Sequence, residues 1–430
     1  MKYIKKILDN GITIIMVPQA TTQLIAMGFF VKAGSRNENN ETNGIAHFLE
    51  HMMFKGTSTR SADKLFWELD MLGAYYNAAT TTQNTYYYIY GNSDDTKKLL
   101  DIMLDIYINP QFNTKEIEKE KKVIIEEMRM RNDMPLVKLY SGIHRKIFKG
   151  TSLARDIIGK PETILNFNQK DLLNFRKSLY KPNNTVFVIT GNFNPMPIYK
   201  MIVPVLKPLE NPSVAALTYF DEKPIIIKNM MAQEEPYVYI KKNTMYQQVY
   251  ILLVFPLYDM YKTKYREINL ISNLLTTGFS SRLNKSLRED NGITYSLTSY
   301  PIIYSDSGMF IIQIILNPDE LVTGLKILFA ELKKIKDHLV TKDEITKIIN
   351  ITKNESIFSF TQPFDMLTYF GLNFLSDRNF KPEIKKEFES LKKITRTRLQ
   401  KVATDIFVRD KINLFIYGNT NETNFDFIEL

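Results

Sequence analysis

Two of the chain's four histidines, His47 and His51, stand four positions apart in the run HFLEH, with Glu50 just before the second. On a helix such a pair lies one turn apart on one side and can grip a single metal ion. Stepping about 100° per residue from Ile45 gathers Ile45, Phe48, Leu49, Met52 and Met53 into one apolar arc. His47, Glu50 and His51 fall on the opposite side. One face can therefore serve a core while the other carries only His, Glu and His. Glu50 is acceptor-only when ionised and can take a proton from water held at the metal.

The chain has no cysteine, so it has no disulfide and no thiolate, and a metal site must use nitrogen and oxygen donors. A catalytic zinc takes three protein ligands and keeps a fourth position for water. His144, in the basic run HRKIFKG, and His338, at the end of a lysine-rich helix, read as ordinary surface residues. The third ligand should then be a carboxylate. The best candidate helix is NTKEIEKEKKVIIEEMRMRND, capped by Asn113 or Thr114. Its apolar line runs through Ile117, Ile124 and Met128, and Glu120 and Glu127 flank it two turns apart. Glu127 can face an interior site, Glu126 should face water, and Glu120 sits behind Glu127 as a carboxylate able to orient a histidine. The HFLEH helix itself should be capped by Asn43 or Thr42 and end at Gly56.

These helices must be held by sheets. At 430 residues the chain exceeds the usual single domain. Two apolar runs, NTVFVITGN and KINLFIYGN, both close on Gly-Asn, with Gly191 and Gly418 separated by 227 positions. A strand, polar turn and amphipathic helix recur around Asp95 and Asp319, 224 positions apart. The pattern predicts an α+β chain of two structurally similar halves, each a mainly antiparallel sheet backed by helices. Residues 1–210 would form the metal-binding half and 236–430 its non-catalytic counterpart, with a Pro- and charge-rich linker over 211–235.

The net charge is +9, but lysine is scattered over helix surfaces rather than clustered with aromatics, which argues against specific nucleic-acid binding. The N-terminus lacks an apolar core of signal-peptide length and lacks the arginine of a mitochondrial presequence. The most apolar run, VYILLVFPLY, is too short to span a bilayer. The expectation is a cytoplasmic chain without a membrane span.

H-x-x-E-H is the inverted zinc-peptidase signature. The chain resembles, over nearly its whole length, the pitrilysin family of zinc peptidases, which includes mitochondrial processing peptidase. The family places a glutamate ligand 76 residues beyond the second histidine, which here is Glu127, and a second glutamate seven residues earlier, which is Glu120. Its Asn-Ala strand that meets substrate is matched by Asn77 and Ala78 in GAYYNAATTTQNTYYY, although Gln83 replaces the usual acidic residue six positions on. An Arg and Tyr seven apart, which in the family reach the active site from the second domain, correspond to Arg288 and Tyr295. The resemblance implies a zinc endopeptidase with one Zn²⁺ per chain held by His47, His51 and Glu127. Glu50 would be the general base, and Tyr295 with Arg288 would grip the substrate or stabilise the oxyanion. An unfolded peptide would add as a strand beside Asn77 and Ala78. The family also implies pairing, as a homodimer or with a related subunit, so that an enclosed chamber admits peptides. Val137 and Ser141 stand where mitochondrial processing peptidase has acidic residues, so an arginine-reading presequence peptidase is not expected. The alternative is an inactive scaffold or binding subunit of the same fold. Such relatives lose zinc-site residues, and here the full set is retained.

Overall fold

The computed structural model describes residues 2–210, 223–258 and 263–430. The expected linker begins outside the described residues, over 211–222, and its later part contains the helix Lys223–Met231. The chain divides into two compact units. One comprises Met1–Met130, Arg155–Asp221 and Ile357–Pro382; the other comprises Arg131–Ala154, Glu222–Ser356 and Glu383–Leu430.

The first unit holds a six-stranded sheet of β1 (Ile4–Ile7), β2 (Thr13–Pro18), β3 (Leu24–Val31), β4 (Tyr75–Thr80), β5 (Thr85–Asn92) and β6 (Thr185–Gly191). The order is β1-β2-β6-β3-β5-β4, antiparallel except for the β2–β6 pair. The second unit holds β7 (Tyr237–Lys242), β8 (Val249–Pro256), β9 (Thr294–Ile303), β10 (Gly308–Leu316) and β11 (Asn413–Gly418). Their order is β7-β11-β8-β10-β9, antiparallel except for β7–β11. Without β1, the two orders coincide strand for strand. The repeated Gly-Asn runs are β6 and β11, each inserted between a parallel and an antiparallel neighbour. A Cβ on Gly191 would come within 2.2 Å of the Leu24 carbonyl oxygen, and one on Gly418 within 2.4 Å of the Gln248 carbonyl oxygen. Glycine recurs there because the adjacent backbone leaves no room for a side chain.

Six helices matter below: α1 (Ile45–Met52), α2 (Thr96–Ile108), α3 (Thr114–Asn132), α4 (Pro135–Ile147), α5 (Leu321–Asp337) and α6 (Pro363–Ser376). The central strands are buried on both faces, so apolar residues occupy consecutive positions. In β3, Ile25, Met27, Phe29 and Val31 join the core shared with α1, α2 and α3, while Ala26 and Phe30 join a second core on the other face. The helix filling that second core comes from late in the chain. It is α6, whose Met366, Leu367, Phe370 and Phe374 form one helical stripe. The second unit mirrors this arrangement with α4, whose Leu139, Ile143 and Ile147 cover Leu252, Val254, Ile311 and Phe415. Each sheet is thus closed by a helix drawn from the other half of the sequence.

Both borrowed helices place a glycine on a strand phenylalanine, with different clearances. A Cβ on Gly371 would lie 2.4 Å from the fully buried Phe30 ring, whereas one on Gly142 would lie 3.4 Å from Phe415. Gly371→Ala should therefore destabilise the protein by ~1–3 kcal/mol through overpacking. Gly142→Ala should be neutral or gain up to about 1 kcal/mol of helix propensity. Thermal unfolding of the two variants checks this; an equal or larger loss of Tm in Gly142→Ala would contradict the packing described.

Candidate metal centre

Helix α1 forms because Ile45, Phe48, Leu49 and Met52 are all buried in the first core, which fixes the rotation that turns His47, Glu50 and His51 the other way. Its start differs from expectation. The N-cap is Gly44 in the left-handed region, and neither Thr42 nor Asn43 caps the helix with its side chain. Asn43 Nδ2 instead donates to Glu38 and to the Asp156 carbonyl oxygen, and Thr42 Oγ1 is occupied with Asn39. Helix α3 is capped by Asn113, whose Oδ1 accepts from Lys115 N at 2.9 Å. Ile117, Ile124 and Met128 bury the same side of α3. Glu126 is 68% exposed and pairs with Arg129, while Glu127 turns toward α1.

His47 Nε2 lies 3.7 Å and His51 Nε2 3.6 Å from Glu127 Oε2, and one donor atom from each of the three residues lies within 4.8 Å of the others. These separations are too long for hydrogen bonds. They are close to the ~3.3 Å edge of a tetrahedron with bonds of about 2.0–2.1 Å, the zinc geometry for nitrogen and oxygen donors. The set fits a zinc ion. Behind it, His51 Nδ1 lies 2.8 Å from Glu120 Oε1, and Glu120 Oε2 pairs with Lys55 Nζ at 2.7 Å. Glu120 can accept only if His51 carries its proton on Nδ1, which leaves the Nε2 lone pair facing Glu127. Burial alone would raise the Glu120 pKa, but hydrogen bonds from His51 and Lys55 hold it below its ordinary value. Burial pulls His51 down, and the Glu120 hydrogen bond with the surrounding carboxylates overcomes it and raises its pKa.

Glu50 sits between the histidines on the same face, and Thr80 Oγ1 on β4 donates to its Oε2 at 2.5 Å. Burial raises the Glu50 pKa against the opposing effects of Thr80 and His51, a direction that improves a carboxylate as a base near neutral pH. Asn77 and Ala78 lie on β4, the last strand of its sheet, whose outer edge has no strand partner among the described residues. The first unit therefore gathers His47, Glu50, His51, Glu120 and Glu127, with Asn77 and Ala78 on the strand that also carries Thr80.

Arg288 and Tyr295 belong to the second unit and adjoin each other there. Tyr295, on β9, is 83% exposed, and the Arg288 guanidinium lies 5.0 Å from its ring. The short helix Asn284–Glu289 that carries Arg288 is tied down just before its start by Arg282, which donates to Glu344 at 2.7 and 3.0 Å. Glu344 also closes a reciprocal capping box with Thr341 at the start of the helix Lys342–Ser359. His338 is exposed, but His144 is not a plain surface residue. It is half-buried on α4, with Nε2 2.7 Å from the Tyr304 hydroxyl and Nδ1 2.9 Å from the Tyr140 carbonyl oxygen. Its basic neighbours in sequence occupy other faces of the helix. Lys55, Thr80 and Glu38 escaped the sequence reading, Lys55 because a lysine one turn beyond a histidine carries no signal of its own.

Residues 13–161 match the family model for insulinase (peptidase family M16), and residues 166–352 match that for the peptidase M16 inactive domain. An uncharacterized zinc protease, YmxG, of Bacillus subtilis is 32% identical over 304 residues, 71% of each chain. The mitochondrial-processing peptidase subunit beta of Lentinula edodes is 35% identical over 194 residues, 45% of this chain and 42% of that one. In fold, the chain resembles the crystal structure of a protease from Helicobacter pylori, with a TM-score of 0.86 at 22% identity, covering 97% of this chain and 99% of that one. The chain belongs to peptidase family M16, the pitrilysin family of zinc peptidases, and its cofactor is zinc. Among the described residues no helix is long and apolar enough to cross a membrane.

Two outcomes are expected. Glu120→Gln should weaken zinc binding by about 10–100-fold, since a ligand's hydrogen-bonded partner typically contributes that much; competition with a chromophoric chelator measures it. In the second unit, burial raises the Glu344 pKa but Arg282 and Thr341 overcome it and hold the carboxyl at about 2. The stability it contributes is present above its ordinary value of 4.5 and is lost as pH falls toward 2. Glu344→Gln should thus be less stable than the parent at pH 7 by no more than about 3 kcal/mol, with the difference shrinking by pH 3. Denaturant titrations at both pH values report it.

Proposed function

We propose that the chain is a zinc endopeptidase acting on unfolded peptide segments. His47, His51 and Glu127 would hold the ion. Zinc, when bound, supplies Lewis acidity that polarises a peptide carbonyl and acidifies water. The observation that carries the reading is Glu50, a carboxylate on the metal-facing side of α1, steered by Thr80 and raised in pKa by burial. In this role Glu50 takes the proton of the attacking water and passes it to the leaving amine. Glu120, backed by Lys55, keeps His51 in the tautomer that presents Nε2. The open edge of β4 at Asn77 and Ala78 would take the substrate backbone as an added strand, a mode that reads peptide geometry more than side chains. Arg288 and Tyr295 are proposed as substrate-gripping residues, supported by the exposure of Tyr295 and by their mutual proximity. Enclosure of the site by pairing with a second copy or a related subunit is also proposed. A relative of this family named as a subunit supports it. The scaffold reading is disfavoured because no zinc-site residue is missing.

Glu50→Gln keeps the shape of the side chain and removes its basicity. The expected result is zinc content equal to the parent, with cleavage of a quenched-fluorescent peptide library reduced by at least about 100-fold, the scale of a lost general base. Undiminished cleavage by the variant would remove Glu50 from the role. A parent protein without zinc or cleavage would sink the peptidase reading.

A further inference from the structure

Helix α1 begins where no side chain fits. Gly44 has φ of +99°, and a Cβ there would lie 2.8 Å from Gly159 Cα and from the Ile158 carbonyl oxygen. A Cβ on Gly159 would in turn lie 2.5 Å from the Asn43 carbonyl oxygen. The first N–H groups of a helix nevertheless need acceptors. Ile45 N donates to the Thr42 carbonyl oxygen at 3.0 Å, and the N–H groups of the cap and of Ala46 are taken by Glu38, a residue in the loop before the helix that is only 3% exposed. Its Oε2 accepts from Gly44 N at 2.8 Å and from Asn43 Nδ2 at 2.9 Å, and its Oε1 accepts from Ala46 N at 2.9 Å. Its own carbonyl oxygen accepts from an Arg155 guanidinium nitrogen at 2.6 Å. Burial pushes the Glu38 carboxyl up, while the bonds from Asn43, Gly44 and Ala46 and the Arg155 charge pull the other way; with both oxygens accepting N–H bonds, the geometry is that of the carboxylate. Burying a carboxyl is costly. A side chain of Ser, Thr or Asp at the cap position would do the capping at less cost if the backbone allowed one. What the carboxylate adds is a two-oxygen grip on the turn that leads directly into His47, complementary to the positive end of the helix.

We propose that Glu38 is a positioning residue of the zinc site. The buried apolar face sets the rotation of α1, and the two Glu38 oxygens fix the position of its first turn, and so the height at which His47 Nε2 and His51 Nε2 meet Glu127. The inference rests on the zinc reading above. It says that removing Glu38 loosens the metal before it abolishes the fold.

The test compares the parent with Glu38→Gln, Glu38→Ala and Gly371→Ala. Gly371 lies on α6, on the opposite face of the first sheet from α1, and so reports plain loss of stability. Three quantities are measured for each: Tm, zinc affinity by chelator competition, and the visible absorption bands of the Co²⁺-substituted protein. The expected result is a zinc affinity lowered on the order of tenfold in Glu38→Ala, in the range for residues that support metal ligands. Glu38→Gln, which keeps the volume and one acceptor, should fall between it and the parent. Both should shift the Co²⁺ bands, whereas Gly371→Ala should bind zinc as the parent does despite its lower Tm. Should Glu38→Ala fail to fold, Glu38→Gln carries the comparison. Parent-like affinity and unshifted bands in the Glu38 variants, with only Tm reduced, would overturn the proposal. A parent that binds no zinc would instead remove the reading beneath it.

Discussion

The site depends on keeping several like charges together in a half-dry place. Glu50, Glu120 and Glu127 converge on two histidines, and Lys55 is the cation paired with them. Three carboxylates against one ammonium leave two negative charges to be balanced, and desolvation makes that excess costly. A divalent cation held by His47, His51 and Glu127 would restore neutrality. The protein manages the remaining charges by division of labour. Glu120 is fixed as an anion between His51 and Lys55, and Glu50 is kept basic by burial, against the opposing pull of the Thr80 hydroxyl and of His51.

The second unit repeats the strand order without the chemistry. After β8, as after β3, the chain enters a helix, here Tyr265–Thr276. Where α1 presents His, Glu and His, this helix presents hydroxyls. Ser272 Oγ donates to the Ser299 carbonyl oxygen at 2.5 Å, and Thr276 Oγ1 lies 2.9 Å from Ser299 Oγ. The cluster fastens the helix to β9, the strand that carries Tyr295. One copy of the architecture thus carries the candidate metal site, and the other uses the equivalent position to brace the strand bearing Tyr295.

The metal-facing side of α1 was legible because helical period and residue rarity coincide: five apolar residues define the buried face, and the three residues left over are those that can do chemistry. Glu127 and Glu120 were readable by the same periodicity in α3, since Ile117, Ile124 and Met128 fix which side is inward. The duplication was readable from Gly191 and Gly418, where close backbone approach excludes every side chain. The cap of α1 was not readable. Sequence rules look for a polar residue at the cap itself, whereas here the acceptor is contributed by Glu38 across a loop folded back on the helix start. His144 was misjudged because a histidine among basic residues on a helix can still face inward, one residue per turn. The exchange of α4 and α6 left no trace either. An amphipathic stripe says that a helix packs, not which sheet receives it.

That exchange explains why the second half cannot be treated as an appendage. Ile15, Val17, Ala26, Phe30, Val186 and Val188 line the face of the first sheet that α6 covers. Each large apolar side chain left exposed would forgo about 1.5–3 kcal/mol of burial. The sheet that positions β4 and α1 therefore owes one of its two cores to a helix encoded after residue 360. The second sheet owes the same to α4, encoded before residue 150. Neither half of the sequence buries its own sheet on both faces, so the two copies fold as a mutual dependence. The stability of the first sheet then rests on residues far from it in sequence, Gly371 packed on Phe30 among them.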